Sequence, residues 1–224
     1  MVPAYSALVD ECAILFADLA GFTALTEAHG DDDAVAAARR FVALTGDALE
    51  SDAELVKSIG DAVMVRSANG ASAVATALSL LRLVDAEPRF PSVRVGIHEG
   101  TVVEDGGDFF GSTVNIAARL AAHAPIGQVL VTESLVRHTE AHPDVRVRSL
   151  GELRVKNVRS PLVVFALEPE DHAASVQVTD PVCRMLIDAD DAPGRLPWGD
   201  RIWFFCSWEC ASAFHTSPDD YTVT

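Results

Sequence analysis

Residues Cys12 to Ala17 form an unbroken apolar run that stops at Asp18. A run of that length without polar alternation fits a strand covered on both faces, so the chain needs a sheet with layers packed on it. An acid at the end of such a strand is conspicuous. From Val35 through Ala38, Val42 and Leu49 the apolar positions recur at helical spacing, which predicts a long amphipathic helix. Leu55 to Ile59 and Ala62 to Val65 read as two strands parted only by Gly60-Asp61, a hairpin signal that puts Asp61 at an exposed tip. Ala71 to Val84 reads as a second helix, and Val93, Val95 and Ile97 alternate with Arg94 and Gly96 as in a half-buried strand. After the Gly106-Gly107 turn, Ser112 or Thr113 caps a helix running to about His123, stopped by Pro125 and Gly127. Asn115 and Arg119 then share one helical face. Val129 to Thr132, Val145 to Leu150 and Leu162 to Leu167 complete a set of strands interleaved with helices, which makes the class α/β or α+β.

The 224 residues suit one or two domains, and 49% hydrophobic with 22% charged residues is a globular balance. Glu168 to Ser175 is polar and aperiodic, and beyond it lie all three Trp and three of the four Cys. The expected organisation is a domain over 1–168, a linker over 169–178 and a small domain over 179–224. A net charge of -16 repels a phosphate backbone or an anionic membrane, so nucleic acid is a poor candidate partner and none is expected. A nucleotide is still allowed, because divalent cations held by carboxylates reverse the local sign. No run approaches the length of a membrane span, and the start has no basic region leading into an apolar stretch, so the expected location is the cytoplasm. The uneven cysteines are not a secreted disulfide framework, and Cys12 is expected to be simple core.

Phe16-Ala-Asp-Leu-Ala-Gly-Phe-Thr23, Lys57-Ser-Ile-Gly-Asp61 and Asp108-Phe-Phe-Gly-Ser-Thr-Val-Asn-Ile-Ala-Ala-Arg119 together resemble the catalytic domain of class III adenylate cyclases over about residues 10 to 168. The resemblance implies an α+β fold with a ferredoxin-like βαββαβ core. It implies two Mg²⁺ or Mn²⁺ per active site, held by Asp18 and Asp61, hard oxygen ligands of the kind these ions prefer. Taken singly, Asp18 also reads as a helix cap and Asp61 as a turn acid. Leu19, Gly21, Phe22 and Thr23 lie where backbone N–H groups at a helix start bind a triphosphate. Lys57 and Asp108 align with the purine-reading pair: a donor-only and an acceptor-only group match N1 and the amino group of adenine, and guanine presents the reverse. Asn115 orients the ribose in this family, Arg119 stabilises charge on the α-phosphate, and Lys156 is the nearest candidate for a phosphate-binding lysine. The bland alternatives are solvated surface charges. Members of the family act as head-to-tail homodimers with shared active sites on ATP. A non-catalytic nucleotide-binding or metal-sensing dimerisation module and a guanylate cyclase are the other readings.

Asp180-Pro-Val-Cys-Arg-Met185, Trp203-Phe-Phe-Cys-Ser207, Cys210, Phe214, Pro218 and Tyr221 resemble a YHS domain, a short module related to metal-binding TRASH-type fingers. The expected ligands of a Zn²⁺ or Cu⁺ are Cys183, Cys206 and Cys210, with His215 as a possible fourth. Arg184 stands where that family usually has Gly. A small core of buried cysteines beside Trp and Phe is the other reading.

Overall fold

The computed structural model describes residues 8–154, 158, 160–169 and 177–222. The apolar run lies inside β1 (Leu8–Leu19), and its alternate residues are buried in two different clusters. Ala13, Leu15, Ala17 and Leu19 pack with residues of the second and third helices, while Cys12 and Ile14 pack beneath the fourth. Burial on both faces is why the run shows no alternation.

Two helices follow β1, α1 (Phe22–His29) and α2 (Asp31–Ala48), where the sequence periodicity predicts one. Gly30, at φ +86°, separates them. Next come β2 (Ala53–Ile59), β3 (Ala62–Ser67), α3 (Gly70–Asp85), the short β4 (Phe90–Pro91) and the long β5 (Val93–Asp105). Strands β2, β3, β1 and β5 lie side by side in that order, each antiparallel to its neighbours. With α2 and α3 as crossovers, this is the ferredoxin-like βαββαβ core.

The chain then adds β6 (Asp108–Phe110), α4 (Ser112–His123), β7 (Val129–Thr132), α5 (Glu133–Val136), β8 (Val145–Leu153) and β9 (Leu162–Pro169). Strand β7 pairs parallel with β5 and extends the sheet through β9 to β8. Neither expected cap serves α4: its N-cap is Gly111, and the buried Thr113 hydroxyl donates instead to the Thr101 carbonyl, 2.7 Å away on β5. Thr113 faces the sheet, so the side chain is spent on anchoring.

Helix α4 lies directly on β5 at Gly96. A Cβ there would sit 2.1 Å from the Ala121 nitrogen and 2.5 Å from the Ala117 carbonyl oxygen, both backbone atoms that cannot swing aside. Gly96→Ala is therefore expected to destabilise the fold by about 1–3 kcal/mol, the usual cost of overpacking, read as a lower midpoint in chemical denaturation.

The last elements are β10 (Gln177–Thr179), β11 (Met185–Asp188), β12 (Gly194–Trp198), β13 (Arg201–Phe205) and α6 (Trp208–Thr216). They form a small unit around Phe205, Phe214, Cys183, Cys206 and Cys210. It is fastened to the larger one by β11, which pairs with β4 through Leu186–Phe90 and Met185–Pro91.

Candidate active site

By the two-residue alternation of a strand, Asp18 follows Cys12, Ile14 and Phe16 onto the α4 side of the sheet. It pairs in register with Ala62, so Asp61 stands beside it in the β2–β3 turn. The Asp61 carbonyl accepts from the Leu19 N–H at 3.1 Å, and Asp61 is half-buried rather than at an exposed tip. Across the sheet on β5, Arg94 grips the Asp18 carboxylate with both arms, Nε to Oδ1 and Nη2 to Oδ2, each 3.1 Å. Burial pushes the Asp18 carboxyl above its ordinary value; Arg94 pulls it back and the nearby Asp61 charge raises it again. A half-buried carboxylate with a second acid beside it offers hard oxygen donors of the kind a divalent cation takes, and each Asp18 oxygen keeps a lone pair beyond its Arg94 contact. Arg94 was not legible as a site residue, because alternation alone marks it as an ordinary outward position.

The turn after β1 differs in part from the expectation. Leu19 gives its N–H to Asp61 and Ala20 gives its own to the Ser92 carbonyl at 2.7 Å, so neither offers a donor to an anion. Gly21, at φ +78°, caps α1, and the N–H groups of Phe22 and Thr23 open the helix without an intrahelical acceptor.

Lys57 reaches its place through a β-bulge. The register of β2 on β3 slips between Leu55 and Lys57, so that Lys57 sits opposite Met64, which in turn sits opposite Phe16. Cross-strand partners share a face, so the bulge turns Lys57 to the α4 side. There its ammonium donates to both oxygens of Asp108, at 2.7 and 2.5 Å. The Lys57 contact, helped by the Phe109 N–H at 2.8 Å, holds the Asp108 carboxyl below the usual carboxylate range. Phe109 packs with Ile14 and Met64, which fixes the β5–β6 hairpin against the sheet. Asn115 and Arg119 lie one turn apart on α4, flanking the buried Ile116, Ala117 and Leu120. Asn115 is exposed and Arg119 half-buried. The structure thus gathers Asp18 with Asp61 and Lys57 with Asp108, and leaves Asn115 and Arg119 on the neighbouring helix. Lys156 lies outside the described residues.

A family model described as the adenylate and guanylate cyclase catalytic domain matches residues 4–169. The chain belongs to that family. An uncharacterized protein of Mycobacterium tuberculosis is 36% identical over 171 residues, 76% of this chain and 44% of the relative. A pH-sensitive adenylate cyclase of the same species is 38% identical over 158 residues, 69% of this chain and 40% of the relative. The chain therefore spans less than half the length of these curated relatives. Among solved structures, an adenylate/guanylate cyclase/hydrolase from Silicibacter pomeroyi superposes with a TM-score of 0.62 at 28% identity, covering 73% of this chain and 99% of that one. No helix among the described residues is long and apolar enough to cross a membrane.

Beyond the cyclase domain, the small unit collects its thiols at one point. The Cys183 and Cys206 Sγ atoms are 3.4 Å apart, and those of Cys206 and Cys210 are 3.7 Å apart. The histidine beside them is not His215 but His29 of the cyclase domain, whose Nε2 lies 3.5 Å from both Cys206 and Cys210 Sγ. His215 is exposed and stands five residues after Cys210 on α6, about 140° around the helix from it, so the two cannot face a common ion. Asp180, fully buried, accepts from the N–H groups of Val182 (2.8 Å), Cys183 (3.3 Å) and Cys206 (2.7 Å), tying two thiol-bearing segments together. Arg184 adopts φ +65°, the left-handed conformation that explains why glycine suits its position.

Proposed function

We propose that this protein is an adenylate cyclase that converts ATP to 3′,5′-cyclic AMP and pyrophosphate. The observation that carries the reading is the Lys57–Asp108 pair, a donor-only group beside an acceptor-only group on the sheet face that also holds Asp18. Adenine N1 accepts from the Lys57 ammonium, and the adenine amino group donates to the Asp108 carboxylate. The N–H groups of Phe22 and Thr23 at the start of α1 bind phosphate oxygens, while the space a side chain on Gly21 would take is filled by Arg184 rather than left open for the ligand. Asn115 orients the ribose. In the reaction the 3′-oxygen forms a bond to the α-phosphorus as the bond to the bridging oxygen breaks, the hydroxyl proton is lost and pyrophosphate leaves. Arg119 stabilises charge growing on the α-phosphate. Two Mg²⁺ or Mn²⁺ ions held by Asp18 and Asp61 would supply activation of the hydroxyl and neutralisation of the leaving group. Lys156 is assigned a phosphate contact by resemblance alone.

The working unit is a head-to-tail homodimer. One protomer supplies Asp18 and Asp61 and the other supplies Lys57, Asp108, Asn115 and Arg119. Support comes from one chain carrying both halves of the set. The same completeness favours an enzyme over a non-catalytic nucleotide-binding or metal-sensing platform. We assign it to the cytoplasm, since the four cysteines are free and a reducing compartment keeps them so. The C-terminal unit reads as a YHS-type module whose thiols hold a soft or borderline ion, Zn²⁺ or Cu⁺.

Purified protein given Mn²⁺ and equimolar ATP and GTP is expected to release cyclic AMP in excess of cyclic GMP. An excess of cyclic GMP would overturn the base assignment, and no cyclic nucleotide at all would overturn the activity.

A further inference from the structure

The thiol group of the C-terminal unit is completed by a side chain from the catalytic domain. His29 Nε2 and the Sγ atoms of Cys183, Cys206 and Cys210 all lie within 4.8 Å of one another. A tetrahedral zinc with Zn–S near 2.3 Å and Zn–N near 2.05 Å has S···S edges of about 3.8 Å and S···N edges of about 3.6 Å. The observed edges of 3.4 and 3.7 Å between thiols, and 3.5 Å twice from imidazole to thiol, approach that figure. The three cysteines are 0%, 3% and 1% exposed, so their thiols are shielded from bulk water, and His29 is half-buried beside them. Their segments are already fixed: Asp180 holds the Cys183 and Cys206 backbones, and the Ser207 hydroxyl caps α6 by accepting from the Cys210 N–H at 3.1 Å. One imidazole with three thiolates at tetrahedral spacing suits Zn²⁺.

The helix that carries His29 begins three residues after Leu19 closes β1, and four after Asp18. The C-terminal unit touches it at both ends. At the start, a Cβ on Gly21 would lie 2.4 Å from Arg184 Cβ, so the base of that side chain rests on the first turn. At the end, Ala28 packs against the cluster that contains Cys183, Cys206 and Cys210. We propose that His29, Cys183, Cys206 and Cys210 form one Zn²⁺ site shared between the two units, and that filling it clamps α1, the helix that opens the phosphate-binding turn, onto the C-terminal unit. The proposal rests on the reading of the thiols as metal ligands and adds the fourth ligand and its mechanical consequence.

The test titrates zinc against a competing chelator in the full chain, for wild type, His29→Ala, His29→Cys and His215→Ala, and follows amide exchange across residues 22–29. Wild type and His215→Ala are expected to bind one Zn²⁺ per chain with equal affinity. His29→Ala should bind at least about a hundredfold more weakly, more than loss of an outer contact costs. His29→Cys restores a four-ligand set and should recover tight binding, which separates a ligand role from a folding defect. Zinc should slow exchange in residues 22–29 about tenfold in wild type and His29→Cys and leave His29→Ala unchanged. Absence of stoichiometric zinc in wild type would remove the thiol reading and this inference with it. Equal zinc affinity in wild type and His29→Ala would overturn the shared site alone. Tight zinc binding without slower exchange in α1 would overturn the clamp.

Discussion

Equal amounts of Asp18→Ala and Lys57→Ala protein, mixed and allowed to exchange subunits, are expected to recover roughly a quarter of wild-type turnover, whereas either variant alone should fall at least about a hundredfold. The fraction follows from the proposed arrangement. Random pairing makes half of the dimers mixed, and each mixed dimer has one site carrying both lesions and one carrying neither. Recovery is possible only if Asp18 and Lys57 of one site come from different chains. A site assembled within one chain would gain nothing from mixing, so failure to recover in confirmed mixed dimers overturns the shared site. Neither substitution should compromise folding. The Lys57–Asp108 pair is 32% exposed on each side, where an ion pair contributes little to stability. Asp18→Ala removes a half-buried carboxylate whose ionisation burial disfavours, leaving Arg94 half-exposed to water.

What could be read beforehand, and what could not, divides by the range of the physics involved. The β1 strand was legible because double-sided burial removes polar residues from six consecutive positions, a signal contained in the strand itself. The hairpin at Gly60-Asp61 was legible for the same reason, since φ +60° at Gly60 is a local demand. The helix start near Phe22 was expected from the turn after β1, but not the extent of α1 as a helix separate from α2, because eight residues carrying two Thr show too few turns for a period to register. The bulge that turns Lys57 to the face of Asp108 leaves no mark on β2 alone, because it is a relation between two strands. Arg94 gained its place by lying opposite Asp18 in register, 76 residues away in sequence. His29 is the extreme case. It meets Cys206 across 177 residues, and nearness along the chain favoured His215, which the angular step of α6 turns away. Motif resemblance found the residues that a family shares; contacts particular to this pairing of units came only from the fold.

Arg119→Ala is expected to lower kcat by about a hundredfold or more with a much smaller change in KM. The split follows from where the charge appears. Bound ATP already carries its phosphate charge in the ground state, but additional charge on the α-phosphate oxygens develops only as the 3′-oxygen attacks, and a guanidinium poised there stabilises the transition state in preference to the substrate. Stability should stay near wild type. Arg119 is half-buried on the side of α4 away from Ala117 and Leu120, and the contact made by its backbone, the His123 Nδ1–H donating to the Arg119 carbonyl at 2.7 Å, survives truncation of the side chain. Arg119→Lys separates charge from shape: an ammonium keeps the positive charge but loses the planar fork, so it should regain part of the rate and not all of it. Asn115→Ala, one turn earlier, removes the proposed ribose contact rather than a charge and should cost less. Equal turnover in Arg119→Ala and wild type would mean that the developing charge is met elsewhere, and Lys156 would be the next residue to replace.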